Sequence, residues 1–376
     1  MQLNEKQQLA INMAADWYAK QNTQIFKMAG YAGTGKTTVA TTIARTLEAD
    51  DNILFCAFTG KAACVMRQKG MPGQTIHSAI YDYETVTDPQ TGKKRIVHHL
   101  KPYLPYKLIV VDEASMVGTE VAKDLLSFQI PILAIGDPGQ LPPVGDRYSD
   151  LLRGPDIILD EIMRQGGGNR IPLFAQQLRK GWSPTGEAIA PGPDLVVLHR
   201  DQFLRNFKTL LTHASQLICA TNRNRQTFNA WARKLLGRKG LLTEGEKIVR
   251  KKNAWDECTL SSLGLLSLVN GMTGQAKNVK DIGQGMALFD FVPECAPDAT
   301  FKDLGYRKFE YAYTITCHAA QGSEWPYVVV YDDSWADPQN PKFRAAWLHI
   351  TSVKRSIRHL ADALKLTPPE PEKGGD

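Results

Sequence analysis

The stretch Gly30-Tyr31-Ala32-Gly33-Thr34-Gly35-Lys36-Thr37 constrains this chain more than any other. It fits G-x-x-x-x-G-K-[ST] and stands between an apolar run, Gln24 to Ala29, and a helical pattern from about Lys36 to Leu47. A strand, a Gly-rich turn and a helix N-terminus in that order specify a βα unit with a phosphate cradle. The glycines let backbone N–H groups wrap a phosphate, and the helix points its N-terminus at it. Gly33, Thr34 and Gly35 form the cradle, with Thr38 in the first turn of the helix. Lys36 is placed to reach outer phosphates and Thr37 to offer its hydroxyl to Mg²⁺, so ATP with Mg²⁺ is the expected cofactor pair.

The complementary piece is Ile109-Val110-Val111-Asp112-Glu113. An apolar strand ends there in two carboxylates, where a parallel sheet gathers its ligands. Asp112 is the second expected Mg²⁺ ligand. Glu113 is placed to polarise an attacking water, which points to hydrolysis rather than transfer to an acceptor. After the next strand, Gly136-Asp137-Pro138-Gly139-Gln140-Leu141-Pro142-Pro143 brings Gln140. Its uncharged amide suits contact with a γ-phosphate or the lytic water.

Further apolar strands read at Ile53–Phe58, Leu108–Val111 and Ile132–Ile135, alternating with helices, as a parallel sheet requires. A helix is expected over the first 20 residues, with Asn4 as N-cap. Tyr83–Thr87 and Arg95–His99 flank Asp88-Pro89-Gln90-Thr91-Gly92 and read as a β-hairpin projecting from the first domain. Residues 241–305 change to short strands separated by Gly and Asn-Gly turns, the pattern of a small β-barrel. The Pro-rich end, 367–376, reads as disordered. No apolar run approaches the roughly 20 residues that span a bilayer, and the N-terminus has no signal-peptide core, so no membrane partner and a cytoplasmic location are expected. The six cysteines lack CxxC or zinc-site spacing and read as reduced, mostly buried thiols.

In their order, these motifs resemble superfamily-1 helicases, and more narrowly the RecD/Dda branch of 5′-to-3′ DNA helicases, over nearly the whole chain to about residue 360. Leu3-Asn4-Glu5-Lys6-Gln7 looks like the adenine-reading motif, which implies Gln7 on the base. Ala57-Phe58-Thr59-Gly60-Lys61-Ala62-Ala63 and Thr75-Ile76-His77-Ser78 are similar to the two strand-contact motifs, implying Thr59, Lys61, Thr75 and His77 on DNA. Leu159-Asp160-Glu161-Ile162-Met163-Arg164-Gln165 resembles the segment that brings an arginine, Arg164, to the γ-phosphate. Tyr313 to Trp325 matches the motif that touches both ligands. The match implies Thr316 and His318 on DNA, with Gly322 and Glu324 on nucleotide. The last motif departs from the family's T-A-V-T-R-A: here it is Thr351-Ser352-Val353-Lys354-Arg355-Ser356. Aligned without gaps, Arg355 takes the arginine position, and a shift of register would give it to Lys354.

The resemblance implies two RecA-like parallel-sheet domains. The first is 1–155, with the hairpin 80–106 inserted. The second is 156–240 and 306–366, with 241–305 inserted as an SH3-like barrel. Two arginines from outside the P-loop domain would stabilise charge on the transferring phosphoryl group, so ATP would close the cleft and hydrolysis release it. The family's hairpin acts as a wedge, which brings forward His98, His99 and Tyr83 as rings that stack at a single-strand/duplex junction. The implied activity is ATP-driven 5′-to-3′ translocation on single-stranded DNA with unwinding, by a monomer, with replication or recombination proteins as candidate partners. A nucleic-acid-stimulated ATPase that remodels protein–DNA complexes without unwinding is the rival. A small-molecule kinase or GTPase leaves the later motifs without a role.

The net charge is only +6, yet residues 223–252 hold ten Lys and Arg against Glu244 and Glu246, with Trp231 and Trp255 bracketing much of the stretch. It reads either as a strand-binding face, with phosphate contacts and stacking rings, or as a solvated basic surface. His77 and His318 have no carboxylate or cysteine at ligand spacing, so a metal or general-base role is set aside.

Overall fold

The computed structural model describes residues 3–31, 33–87, 94–139, 150–161, 198, 200–252, 254–262, 264–320, 323 and 325–333. The chain forms two compact units. One comprises Met1–Met163, Arg250–Met272 and Pro293–Phe301; the other comprises Arg164–Val249, Thr273–Val292 and Lys302–Asp376. The segment 241–305 is thus divided between them.

The first unit opens with α1 (Glu5–Lys20), capped by Asn4, whose side chain accepts from Gln7 N while the Gln7 side chain accepts from Asn4 N. This reciprocal capping box satisfies two otherwise orphaned amides. There follow β1 (Ile25–Gly30), α2 (Lys36–Leu47), β2 (Ile53–Ala57), α3 (Gly60–Gln68), β3 (Gln74–Thr75) and α4 (Ile76–Ile80). Next come β4 (Tyr81–Thr87), β5 (Lys94–Leu100), β6 (Leu108–Asp112), α5 (Thr119–Ser127), β7 (Ile132–Gly136) and β8 (Ile157–Leu159). Six strands make one sheet in the order β3-β2-β6-β7-β1-β8, and every pairing within it is parallel. β4 and β5 pair with each other antiparallel, Tyr81 opposite Leu100 and Thr87 opposite Lys94.

The strands alternate between two cores. Phe55, Val110, Leu133 and Ile135 pack on the side of α1 and α2. Leu54, Cys56, Ile109, Val111, Ile132 and Ala134 pack on the side of α4 and α5. With both faces covered, β2 and β7 are buried at every residue, which is why they read as unbroken apolar runs. Truncating a fully buried residue such as Leu133 to Ala costs about 2–5 kcal/mol, so the sheet is a rigid base for its loops.

The second unit begins its described part with α6 (Arg200–Arg205), α7 (Phe207–His213), β9 (Gln216–Cys219), α8 (Asn222–Leu235) and β10 (Lys247–Arg250). β11 (Ala254–Ser261) and β12 (Gly264–Leu268) are an antiparallel ribbon that groups with the first unit. β13 (Thr273–Gly283), β14 (Met286–Pro293), β15 (Phe301–Gly305) and β16 (Phe309–Tyr311) join β10 in a five-stranded sheet, order β15-β14-β13-β10-β16. β17 (Thr314–Thr316), the short α9 (Cys317–Ala320) and β18 (Val328–Tyr331) complete the described fold. β17 and β18 flank β9 in a parallel three-stranded sheet. Phe203, Phe207, Leu210, Leu217 and Phe228 form its core.

Candidate nucleotide site and strand-contact edge

Because the strands of the six-stranded sheet are all parallel, their carboxyl ends share one edge. Gly30 ends β1, Asp112 ends β6, Gly136 ends β7 and Ala57 ends β2. The loops that leave these ends bring the motif residues together.

Gly33 (φ +84°) and Gly35 (φ +80°) hold left-handed backbone, which glycine adopts without the steric cost a side chain would bring. Gly30 is required for space: a Cβ there would stand 2.9 Å from Lys36 Cγ and from Thr34 Oγ1. The Tyr31 carbonyl accepts from Lys36 Nζ at 2.9 Å, from Thr34 Oγ1 at 2.8 Å and from Thr34 N at 3.3 Å. Lys36 and the loop are therefore held in one hydrogen-bonded unit at the N-terminus of α2. Thr38 lies in the first turn of the same helix.

Thr37 Oγ1 lies 3.4 Å from Asp112 Oδ2, donating a long hydrogen bond across the two motifs. Asp112 Oδ1 accepts from Glu113 N at 2.8 Å. Glu113 itself is left-handed (φ 55°, ψ 38°), an unusual state for a residue with a Cβ, kept by the turn that follows β6. A hydroxyl and a carboxylate oxygen side by side are hard donors and fit Mg²⁺. Among the described residues no group of three or more His, Cys, Asp or Glu is gathered to hold a metal unaided. A Mg²⁺ site built from one carboxylate, one hydroxyl and substrate phosphates has no need of such a group.

Gln7 is fully buried, and its Nε2 donates to the Thr34 carbonyl at 3.1 Å while its Oε1 accepts from Asn4 N at 3.1 Å. The amide thus reaches the P-loop backbone through Nε2 and the α1 cap through Oε1. A Cβ on Gly35 would lie 2.8 Å from Gln7 Nε2, so the loop and this side chain are in close contact.

Farther along the edge, Thr59 caps α3 by accepting from Ala62 N at 3.1 Å, and Thr75 caps α4 by accepting from Ser78 N at 3.1 Å. Lys61 is buried at 8% exposure. His77 lies between Phe58 and Tyr81, with ring centroids 5.8 Å from each. Tyr81 continues to His98 at 5.6 Å, and His98 to Tyr83 at 5.9 Å. A run of five rings therefore connects the second strand-contact motif with the β4–β5 ribbon, a feature for which the sequence offered only isolated rings. Burial, with His98 beside it, holds the His77 imidazole below its ordinary value. His98 and His99 are both exposed, and His99 Nε2 lies 3.5 Å from Glu84 in an exposed pair of the kind worth about 1 kcal/mol at most.

In the second unit Thr316 Oγ1 accepts from Ala319 N at 3.4 Å. His318 lies in α9, and its side chain falls outside the described residues, as do Gln140, Arg164, Gly322, Glu324 and Arg355. Of the basic stretch, five side chains are engaged internally. Arg225 pairs with Glu310 at 2.5 Å, and Arg233 pairs with Glu246 at 2.6 Å and covers the Tyr311 ring at 4.2 Å. Arg238 and Lys247 donate to the Glu244 and Ser215 carbonyls, and Arg250, 1% exposed, donates to the Lys252 carbonyl. Arg223, Lys234, Lys239, Lys251 and Lys252 are exposed, and Trp231 is 40% exposed. The stretch is thus half internal scaffold and half surface. The scaffold half was invisible in the sequence because Glu310 lies 85 residues from Arg225.

Sequence reading also passed over Asp333. It is 5% exposed and accepts from Ala220 N at 2.5 Å, Thr221 N at 3.1 Å, Thr221 Oγ1 at 2.6 Å and Asn224 Nδ2 at 2.7 Å. The available signal was an apolar strand ending in two acids, the same pattern that marks Asp112 and Glu113.

Residues 2–191, just over half of the chain, match the family described as "AAA domain", and residues 311–351 match "UvrD-like helicase C-terminal domain". The chain is 34% identical over 167 residues to the ATP-dependent RecD2 DNA helicase of Deinococcus radiodurans, covering 42% of this chain and 22% of that protein. It is 27% identical over 227 residues to the RecBCD enzyme subunit RecD of Mycolicibacterium smegmatis, covering 50% of this chain and 39% of that one. The chain spans well under half the length of these curated relatives. In fold it is similar to the Bacteroides Pif1 helicase crystallised with ADP-AlF3 and ssDNA, with a TM-score of 0.56, 15% identity, and coverage of 94% of this chain and 91% of that one. Among the described residues no helix is long and apolar enough to cross a membrane.

Proposed function

This chain belongs to the AAA-domain family, and on that premise we propose that it is a RecD- and Pif1-like superfamily-1 helicase, ATP-dependent and moving 5′ to 3′ on single-stranded DNA. The observation that carries the reading is the meeting of Lys36, Thr37, Asp112 and Glu113 at one strand edge, beside the helix caps at Thr59 and Thr75. Nucleotide chemistry and strand contact then share a rigid base.

Lys36 and the loop amides hold the β- and γ-phosphates. Thr37 and Asp112 hold Mg²⁺, which supplies, when bound, charge neutralisation on the phosphate oxygens. Glu113 and Gln140 orient the water. Arg164 and Arg355 stabilise the charge that develops on the transferring phosphoryl group, each permanently cationic. Gly322 and Glu324 complete the nucleotide contacts. Thr59, Lys61, Thr75, His77, Thr316 and His318 face the strand, and His98 and His99 work at the duplex junction as a wedge on the β4–β5 ribbon. The segment 241–305 serves as the SH3-like insert. Closure of the two RecA-like domains on ATP and their release on hydrolysis advance the strand.

The test is ATP hydrolysis and strand displacement on duplexes with 5′ or 3′ single-stranded tails, in DNA and in RNA. The expected result is DNA-stimulated hydrolysis and displacement from the 5′ tail alone. Stimulated hydrolysis with no displacement on any duplex would replace this reading with a remodelling ATPase.

A further inference from the structure

The first turn of α1 reaches two places that the sequence keeps far apart. Gln7, inside the protein, donates to the P-loop carbonyl of Thr34. Asn4 Nδ2 donates to Glu161 Oε2 at 2.7 Å, and Lys6 Nζ pairs with Asp160 Oδ1 at 2.5 Å. The Lys6 hydrogen bond holds the Asp160 carboxyl below its usual value. Asn4 and Gln7 are locked to each other by the capping box, so these contacts belong to one turn of helix.

Asp160 and Glu161 are where β8 leaves the sheet. β8 lies beside β1 with Gly30 opposite Leu159, and Tyr31 N donates to the Leu159 carbonyl at 3.2 Å. The exit of β8 is therefore tied to the P-loop twice, once through backbone at Tyr31 and once through the α1 turn. Arg164 stands three residues beyond Glu161 in the sequence. An exposed ion pair such as Lys6–Asp160 adds little stability. Its orienting value is another matter, because a misplacement of about 1 Å in a reacting group costs on the order of 100-fold in rate.

We propose that Asn4 and Lys6 are positioning residues for phosphoryl transfer. They fix the 160–161 exit of β8 to the helix turn whose Gln7 holds the P-loop, so that seating nucleotide on the loop also sets the start of the segment bearing Arg164. The proposal rests on the function assigned above to Arg164. It makes the first turn of α1 a mechanical link between the P-loop and the exit of β8.

Lys6→Glu is expected to lower kcat for DNA-stimulated ATP hydrolysis about tenfold while leaving KM for ATP within about twofold, because the loop itself is untouched. The double variant Lys6→Glu/Asp160→Lys restores the pair in reverse and should return most of kcat. Hydrogen exchange provides a readout without turnover. On adding a non-hydrolysable ATP analogue with Mg²⁺, the wild type should gain protection at 33–37 and at 160–161 together, and Lys6→Glu at 33–37 alone. Unchanged kcat in Lys6→Glu, or a loss that the reversed pair fails to recover, overturns the proposal. A wild type that gains protection at both segments yet neither hydrolyses ATP nor displaces DNA counts against the helicase reading and leaves the link standing.

Discussion

β6 in the first unit and β18 in the second end alike. Each is a short parallel strand with two acids at its end, Asp112 as the last residue of Leu108–Asp112 with Glu113 next, and Asp332-Asp333 directly after Val328–Tyr331. They are put to opposite use. Asp112 is partly exposed, accepts one backbone amide and leaves Oδ2 facing a hydroxyl 3.4 Å away. Asp333 is buried and filled by four donors from the start of α8. The helix N-termini explain the difference. α2 begins after a glycine loop and, among the described residues, has no side-chain cap on its first amides. α8 is capped by Thr221 and by Asp333 itself, which takes the place an external anion would have. One helix N-terminus carries no side-chain cap and the other is closed by the protein's own carboxylate.

Substitutions at the two ends should separate accordingly. The largest effect belongs to the open end: Lys36→Ala should lower ATP turnover by about 100-fold or more while thermal unfolding stays close to wild type, measured by steady-state hydrolysis and calorimetry. Retained hydrolysis would remove the P-loop from the chemistry. Asp112→Ala should likewise spare stability but raise the Mg²⁺ needed for half-maximal hydrolysis, by at least the roughly 10–100-fold that loss of a metal's outer partner costs. At the closed end, Asp333→Ala should leave ATP affinity unchanged and destabilise the second unit by about 3 kcal/mol, since buried donors lose their acceptor. The unfolding midpoint should then fall by roughly 5–10 °C. Loss of nucleotide binding in that variant, with the midpoint unmoved, would break the comparison.

The smallest effect lies on the same edge as Asp112. The His77 imidazole is held below its ordinary value of 6.5 by burial and by His98. Below pH 6.5 the unfolded chain binds a proton that the folded chain refuses, so stability is complete at neutral pH, declines as pH falls through that value, and levels off beneath the depressed one. Unfolding midpoints between about pH 5 and 7.5 should show this decline in the wild type and a shallower one in His77→Gln.

Much of the first unit is legible in sequence because its signals are local. The α1 cap at Asn4, the strands β2, β6 and β7, and the P-loop all follow from short-range patterns: a capping residue, apolar runs bounded by turns, and glycines where the backbone must be left-handed. What escaped is set by partners distant in the chain. Nothing local to Gln7 announces that its Nε2 donates to the Thr34 carbonyl. Arg225 and Arg233 read as a basic surface until Glu310 and Glu246 are seen beside them. Lys61, expected on DNA, is buried at 8% exposure, which no local pattern announces.

The sequence by itself determined that a phosphate cradle and a pair of carboxylates stand at the ends of parallel strands, because glycine stereochemistry and apolar run length are properties of short segments. Tertiary structure alone decided which strand-end carboxylate stays open and which is closed. Val-Val-Asp-Glu and Val-Tyr-Asp-Asp look alike in one dimension. The choice lies in whether the nearest helix N-terminus brings Thr221, Asn224 and two backbone amides to the acid or begins, as α2 does, without a side-chain cap.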